Sequence, residues 1–373
     1  MKIIHHNDND GYCSAAIVKA FLTGRFVDGM FVDATESDFF VYSYNLEFNK
    51  PTVVEHETVY IVDVSLDDRI FDFIQYCVSV GANVIHIDHH KSGLDWLDAH
   101  PDSADVMNKI TTFYEIGVSA SLMTYAYSCM NETELENPND VKWDDGEQGN
   151  LLNLNGRTYA IPLCIQYVND YDVWNWKFGK DTSYFQLGLF MAPYNNKPYE
   201  KEWLDLVTND SIVTNIMMDG EVAYRYRSKM HNIALNKGFV SVVDNKAWLV
   251  VNSDFADSQL YGEYIDQFDV CCCVQYYGDK WVYHIRSGEH SNADVNGIAQ
   301  TYGGGGHVHA AGFSDDGTVL KMLLDNKLKT MREFIDAYEQ AKRDMKAEAA
   351  REAEEKERLR QQKLRENFLK GIN

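Results

Sequence analysis

Asn83-Val84-Ile85-His86-Ile87-Asp88-His89-His90 is the stretch from which the rest of the chain can be read. Its apolar part is too short for a helix and has the β-branched content of a buried strand. It ends on a carboxylate and two imidazoles, where a strand would meet a loop. Groups of that kind are costly to bury without a cation or a partner. Three other segments repeat the pattern of an apolar run followed by Asp. They are His5-His6-Asn7-Asp8-Asn9-Asp10-Gly11, Tyr60-Ile61-Val62-Asp63-Val64-Ser65 and Tyr167-Val168-Asn169-Asp170-Tyr171-Asp172.

Around these segments, strand-like and helix-like stretches alternate. Strands are expected at 1–5, 58–64 and 84–87, and helices at 11–22, 68–80 and 117–130. Such alternation predicts an α/β fold with a mostly parallel sheet and flanking helices. In these sheets ligands bind beyond the carboxyl ends of the strands, where His5, Asp63 and Asp88 fall. Residues 131–150 are polar and acidic and read as a loop. Residues 161–168 lead into Asp170 as a further strand-like run. From residue 238 the pattern turns β-rich, with hairpin chemistry at Tyr277-Gly278-Asp279-Lys280. The expected organisation is 1–197, a metal-binding catalytic domain; 198–237, a helical linker; 238–333, a smaller α+β substrate-binding domain; and 334–373, a charged C-terminal helix. That last helix is expected to be solvated, and self-association through it is a natural option.

The 373-residue chain carries a net charge of −23. A surface this acidic repels long polyanions, so stable duplex DNA binding is not expected. A short phosphorylated ligand gripped by metals suits the charge better. No apolar stretch reaches the roughly 18 residues of a membrane span. The amino terminus lacks a signal-peptide core, so a cytoplasmic location is expected. Seven Cys, three of them consecutive at 271–273, form no zinc-type pairs and read as small hydrophobes.

Each Asp segment has a modest alternative reading. Asp8 or Asp10 could cap the helix near Gly11, and Asp170 or Asp172 could cap another. Asp63 is less easily explained so, because Ser65, Asp67 and Asp68 are better placed to cap the next helix. Taken together, several Asp and His with no Cys match a dinuclear Mn²⁺ or Mg²⁺ centre better than a zinc site. A metal pair about 3.5–4 Å apart can share one carboxylate, lower the pKa of a water and neutralise a phosphoryl oxygen. Downstream, Gly303-Gly304-Gly305-Gly306 would let backbone N–H groups approach an anion. Arg286 could grip a phosphate, and His307 could donate to one or stack on a base. Ser119, in the small-residue helix, could meet a substrate oxygen, but core packing is the preferred reading.

On these residues the chain resembles the DHH-family phosphoesterases with an associated DHHA1 domain, the superfamily of oligoribonucleases and RecJ-like nucleases. The motifs are His-His-Asn-Asp-Asn-Asp-Gly (5–11), Val-Asp-Val-Ser (62–65), Asp-His-His-Lys-Ser (88–92) and Asn-Asp-Tyr-Asp (169–172). The second-domain signature is Gly-Gly-Gly-Gly-His-Val-His-Ala-Ala-Gly-Phe (303–313), preceded by Ile-Arg-Ser (285–287) and Asp-Val-Asn (294–296). The resemblance implies one metal on His5, Asp8 and Asp63 and a second on Asp10, Asp63, His89 and Asp170, with Asp63 bridging and His90 nearer the phosphate. The first motif has two adjacent His and lacks the Pro common before its first Asp, so His5 against His6 stays open, as does Asp170 against Asp172. Arg286, Gly304, Gly305, Gly306 and His307 would hold the substrate. The implied activity is Mn²⁺-dependent hydrolysis of short oligonucleotides or small nucleotides to 5′-mononucleotides. Alternatives are a RecJ-like single-strand exonuclease, a cyclic-dinucleotide or 3′-phosphoadenosine 5′-phosphate phosphatase, and a non-catalytic nucleotide-binding protein.

Overall fold

The computed structural model describes residues 1–370 apart from 24, 28–29, 45, 131–140, 142–149, 155, 193–196, 255 and 289–290. The loop expected at 131–150 therefore lies outside the described residues except for Val141 and Asn150. Two compact units divide the chain, Met1–Arg225 and Tyr226–Asn373.

The first unit begins with strand β1 (Lys2–His6) and helix α1 (Asn9–Ile17), then the small antiparallel pair β2 (Arg25–Val27) and β3 (Met30–Val32). Next come β4 (Phe39–Tyr42), β5 (Thr58–Val62), α2 (Asp68–Ser79), β6 (Asn83–Asp88), α3 (Lys91–Ala99), α4 (Ala104–Met107) and β7 (Thr111–Tyr114). Five strands form one sheet in the order β4-β1-β5-β6-β7, and every pairing in it is parallel. The α/β architecture is thus as expected, and its reason is visible in the strands. Ile3, Tyr60 and Val62 face one hydrophobic cluster, while Ile4, Val59 and Ile61 face another. A parallel strand buried on both faces must be apolar at nearly every position. The register aligns His5 with Val62 and Val62 with Ile87, which brings the ends of three motif-bearing strands to one rim.

Helix α5 (Ala120–Met130), the hairpin β8 (Leu151–Leu154) and β9 (Arg157–Ala160), α6 (Leu163–Asp172), α7 (Lys180–Met191) and α8 (Lys201–Thr208) complete the first unit, apart from the start of α9 (Asp210–Lys237), which runs past its end. The run at 161–168 departs from expectation. It does not form a strand leading to Asp170; both Asp170 and Asp172 lie in the last turn of α6. Residues 164–168 are buried without a break, so the helix is covered on more than one face and its apolar run carries no clear period. In so short a run the two periods are hard to separate.

The second unit is built on a seven-stranded sheet. Its strands are β10 (Phe239–Val243), β11 (Lys246–Asn252), β12 (Val270–Tyr277), β13 (Lys280–Arg286), β14 (Gly305–His307), β15 (Ala310–Asp315) and β16 (Lys327–Thr330), in the order β14-β15-β13-β12-β11-β10-β16. Only β11 and β12 pair in parallel. All seven cysteines are buried. Cys272 faces one core cluster, and Cys271 and Cys273 face the other, as strand alternation requires. Helices α10 (Val295–Thr301), α11 (Thr318–Asp325) and α12 (Met331–Lys370) accompany the sheet. From Gln340 to Arg360 every side chain of α12 is exposed. Among the described residues no helix is long and apolar enough to cross a membrane.

Candidate metal centre

Asp8 caps α1, accepting from the Gly11 amide at 2.9 Å. A Cβ at Gly11 would lie 2.4 Å from the His6 carbonyl oxygen, so only glycine lets the turn close this tightly. The cap leaves the other Asp8 oxygen to the His6 ring, 2.7 Å away. Burial opposes ionisation of Asp8, but the hydrogen bond and charge of His6 and the Gly11 amide prevail and hold it well below the usual carboxylate range. The capping reading and the ligand reading of Asp8 are therefore compatible.

Asp10 is buried at the start of α1. Both of its oxygens accept backbone amides at the amino terminus of α5, Ala120 N at 2.8 Å and Ser121 N at 3.0 Å. A helix amino terminus favours a carboxylate there. Ser119 is buried, and its amide donates to Asn169 Oδ1 at 2.8 Å, tying α5 to α6. The small residues of this segment let the helix end approach the first motif.

Asp63 follows β5 with φ of +58°, a left-handed conformation that non-glycine residues adopt at a cost. It is 1% exposed, and neither carboxylate oxygen has a hydrogen-bond partner. His89 Nε2 lies 3.4 Å from Asp63 Oδ1, 3.2 Å from Asp172 Oδ2 and 3.8 Å from Asp10 Oδ2. His89 Nε2 and Asp172 Oδ2 are also buried without hydrogen bonds. On the other side, His6 Nδ1 is 3.9 Å from Asp63 Oδ2. Three sets of potential ligands result: His6, Asp8 and Asp63; Asp10, His89 and Asp172; and Asp63, His89 and His90, each with ligand atoms within 4.8 Å of one another.

The electrostatics are those of a site in need of positive charge. Burial first, then the neighbouring Asp10, Asp8 and Asp172, push Asp63 far above the ordinary carboxylate range. Asp172 is raised to about 8 by burial and by Asp10 and Asp8, and burial raises Asp10 as well. Burial lowers His89, leaving a neutral imidazole able to donate a lone pair. Oxygen-rich sets with a minority of imidazole and no thiolate fit a hard or borderline divalent cation. Unpartnered buried carboxylate oxygens are what such an ion would satisfy.

The expected ligands are only partly brought together. Asp8, Asp10, Asp63 and His89 converge, and His90 stands beside Asp63. His5 does not join them; its Nδ1 contacts the His6 carbonyl at 2.8 Å, and its ring packs on Tyr12 and Phe39. Burial lowers it to about 4. His6 stands in its place because neighbours on a strand face opposite ways. Asp170 accepts from the Lys177 amide at 2.7 Å, from the Phe178 amide at 3.3 Å and from the Thr182 hydroxyl, so its oxygens are engaged. Asp172, two positions on, takes the place in the cluster. Asp88, expected at the rim but given no place in either ligand set, has a supporting position. It is fully buried and accepts from His90 Nδ1 at 2.7 Å and from the Tyr114 hydroxyl at 2.9 Å. Burial works against the charge on His90, but Asp88 outweighs it and raises that ring.

Residues 1–143 match the family described as "DHH family, N-terminal domain". That match covers 143 of the 373 residues. No curated protein matches the chain. Among solved structures it is similar to an exopolyphosphatase-related protein from Bacteroides fragilis, at 15% identity over 87% of this chain and 92% of the other, with a TM-score of 0.40. A pGpG-specific phosphodiesterase from Vibrio cholerae is similar at 12% identity over 87% and 98%, TM-score 0.39. The exonuclease RecJ bound to manganese is similar at 13% identity over 87% and 88%, TM-score 0.39.

In the second unit the glycine run has a packing role. A Cβ on Gly304 would lie 2.1 Å from the Gly312 carbonyl oxygen, and one on Gly306 would lie 2.4 Å from that of Ala310. Gly305–His307 is a short edge strand, not an open loop. The register pairs Arg286 with Ala310 and Ala310 with His307, so Arg286 and His307 share one row across the sheet. His309 is engaged with the Ser287 hydroxyl at 2.9 Å.

Proposed function

We propose that this protein is a two-metal phosphoesterase of the DHH family that uses Mn²⁺, or Mg²⁺ in its stead, to hydrolyse phosphodiester bonds of short oligonucleotides or small nucleotides to 5′-mononucleotides. The observation that carries this reading is the Asp63 carboxylate, buried and unpartnered among Asp8, Asp10, Asp172, His6 and His89. When bound, a pair of divalent ions supplies charge neutralisation at phosphorus and a water acidic enough to react at neutral pH.

In this reading His6, Asp8 and Asp63 would hold one ion, and Asp10, His89 and Asp172 would hold the other, with Asp63 also near His89. Asp10 is oriented by the α5 amides, so its lone pairs are fixed in advance. Asp88 holds the His90 ring and favours its charged form, suited to a non-bridging phosphate oxygen. His5 and Asp170 act as structural supports. Residues 238–333 are read as a DHHA1 domain, in which Arg286, the backbone of Gly304, Gly305 and Gly306, and His307 take the non-reacting part of the substrate. The net charge of −23 favours short substrates over long strands.

The test is a screen of divalent metals against di- to pentanucleotides, long single strands, cyclic dinucleotides and 3′-phosphoadenosine 5′-phosphate. Mn²⁺-dependent release of mononucleotides from the short oligomers is expected, and it should vanish in Asp63→Ala and His89→Ala. Undiminished turnover in either variant refutes the assignment. Tight nucleotide binding without turnover under any metal would make the protein a binder.

A further inference from the structure

Just beyond Asp172 the chain carries an aromatic group that neither core cluster of the first unit absorbs. Tyr171, Trp174 and Trp176 pack edge-on, with ring centroids 5.5 Å apart for Tyr171 and Trp174, 5.8 Å for Tyr171 and Trp176, and 4.8 Å for the two Trp. Trp174 is 48% exposed and Tyr171 is 38% exposed. Both Trp residues have φ of +56°. Bulky side chains rarely adopt that conformation, and such strain persists only where the surroundings enforce it.

The surroundings are the engaged carboxylate of Asp170. It accepts the Lys177 and Phe178 amides and the Thr182 hydroxyl, and its carbonyl accepts the Asn175 amide at 3.0 Å. The Trp174 amide donates to the Tyr171 carbonyl at 3.1 Å, and the Gly179 amide donates to the Trp176 carbonyl at 3.0 Å. The turn bearing both indoles is thus fastened to the same helical end that carries Asp172, whose Oδ2 lies 3.2 Å from His89 Nε2. An exposed indole on this hydrogen-bonded turn, two residues from a candidate metal ligand, offers an apolar face on the segment that also carries a ligand of the polar centre.

We propose that Trp174, braced by Trp176 and Tyr171, is a stacking platform for a nucleobase of the substrate, and that Asp170 positions it. This rests on the reading of the centre as a phosphoesterase and narrows its substrate to phosphates bearing an unstacked base. Every base offers a flat π face, so the platform accepts any base that is not paired in a duplex.

The test uses the full chain with Mn²⁺ and follows tryptophan fluorescence while AMP or ribose 5-phosphate is added. AMP should quench the wild-type protein and ribose 5-phosphate should not. By titration calorimetry, which does not depend on the indole, Trp174→Ala and Trp174→Leu should each weaken AMP binding by roughly 5- to 100-fold, while Trp174→Phe stays near wild type. The Leu variant keeps apolar bulk without an aromatic face, so it separates stacking from folding should the Ala variant unfold. In turnover, the KM for a dinucleotide should rise by a similar factor in Trp174→Leu. Wild-type AMP affinity in Trp174→Leu, or equal quenching by ribose 5-phosphate, overturns the proposal. If no substrate is hydrolysed yet Trp174→Leu loses AMP binding, the platform stands and the hydrolase reading fails. If substrate is hydrolysed and Trp174→Leu binds AMP as the wild type does, the platform fails and the hydrolase reading stands.

Discussion

Asp63→Asn should stabilise the metal-free protein and abolish its stabilisation by metal. In the absence of ions Asp63 is a buried carboxylate with two unpartnered oxygens, facing Asp8, Asp10 and Asp172. Asparagine is nearly the same size and tolerates the φ of +58° better than most residues. It removes the like-charge contact but leaves a polar atom that binds cations poorly. An unsatisfied buried polar group costs about 1–3 kcal/mol, and a charged one costs more. At about 2–4 °C per kcal/mol for a unit of this size, the melting midpoint in EDTA should rise by roughly 2–12 °C. The sign with pH follows from the raised carboxylates. Asp10, Asp63 and Asp172, the last at about 8, bind more protons folded than unfolded. Metal-free wild-type stability is therefore greatest in mild acid and falls as pH rises toward those folded values. The gain from Asp63→Asn should accordingly grow between pH 5 and pH 8.5. Ions at about 100 times their dissociation constant should stabilise the wild type by about 2.7 kcal/mol and the variant by almost nothing. Differential scanning fluorimetry with EDTA or Mn²⁺ across that pH range measures all three effects. A variant less stable than wild type in EDTA, or equally stabilised by Mn²⁺, would refute the reasoning.

Asp170 and Asp172 should separate cleanly. Asp170→Asn should cost about 1–3 kcal/mol of stability in urea unfolding, because it loosens three donors. Asp172→Asn should leave unfolding in EDTA no worse than wild type but weaken Mn²⁺ binding measured by calorimetry. Asp88→Asn, which loses the charged partner of His90, should lower kcat about 10- to 100-fold, with the drop read in steady-state turnover. His6→Ala should weaken Mn²⁺ binding in the same calorimetric assay, whereas His5→Phe should leave it near wild type, because His5 packs among aromatic rings away from the cluster. Gly11→Ala should destabilise the first unit by about 1–3 kcal/mol in thermal melts, since its methyl meets the His6 backbone.

The alternation of short apolar strands with helices, and the Asp and His residues at their ends, are legible in the chain itself. A parallel sheet buried on both faces forces continuous apolar runs, and motif residues that follow such runs must gather at one rim. Asp8, Asp10, Asp63 and His89, which the structure brings near one another, are legible that way as candidate ligands. The choice of His6 over His5 is not, because adjacent strand residues point to opposite sides and only the packing of Ile3 and Ile4 into separate cores tells which side holds the site. Nor is Asp172 over Asp170, since a short buried helix and a strand share an apolar signature, and tertiary hydrogen bonds decide which carboxylate stays free. Composition alone thus set the chemistry available, oxygen and imidazole donors on a strongly acidic chain. Burial and close approach between distant segments decided which of those donors remain unpartnered, because desolvation and charge repulsion act through space and leave no mark on local sequence.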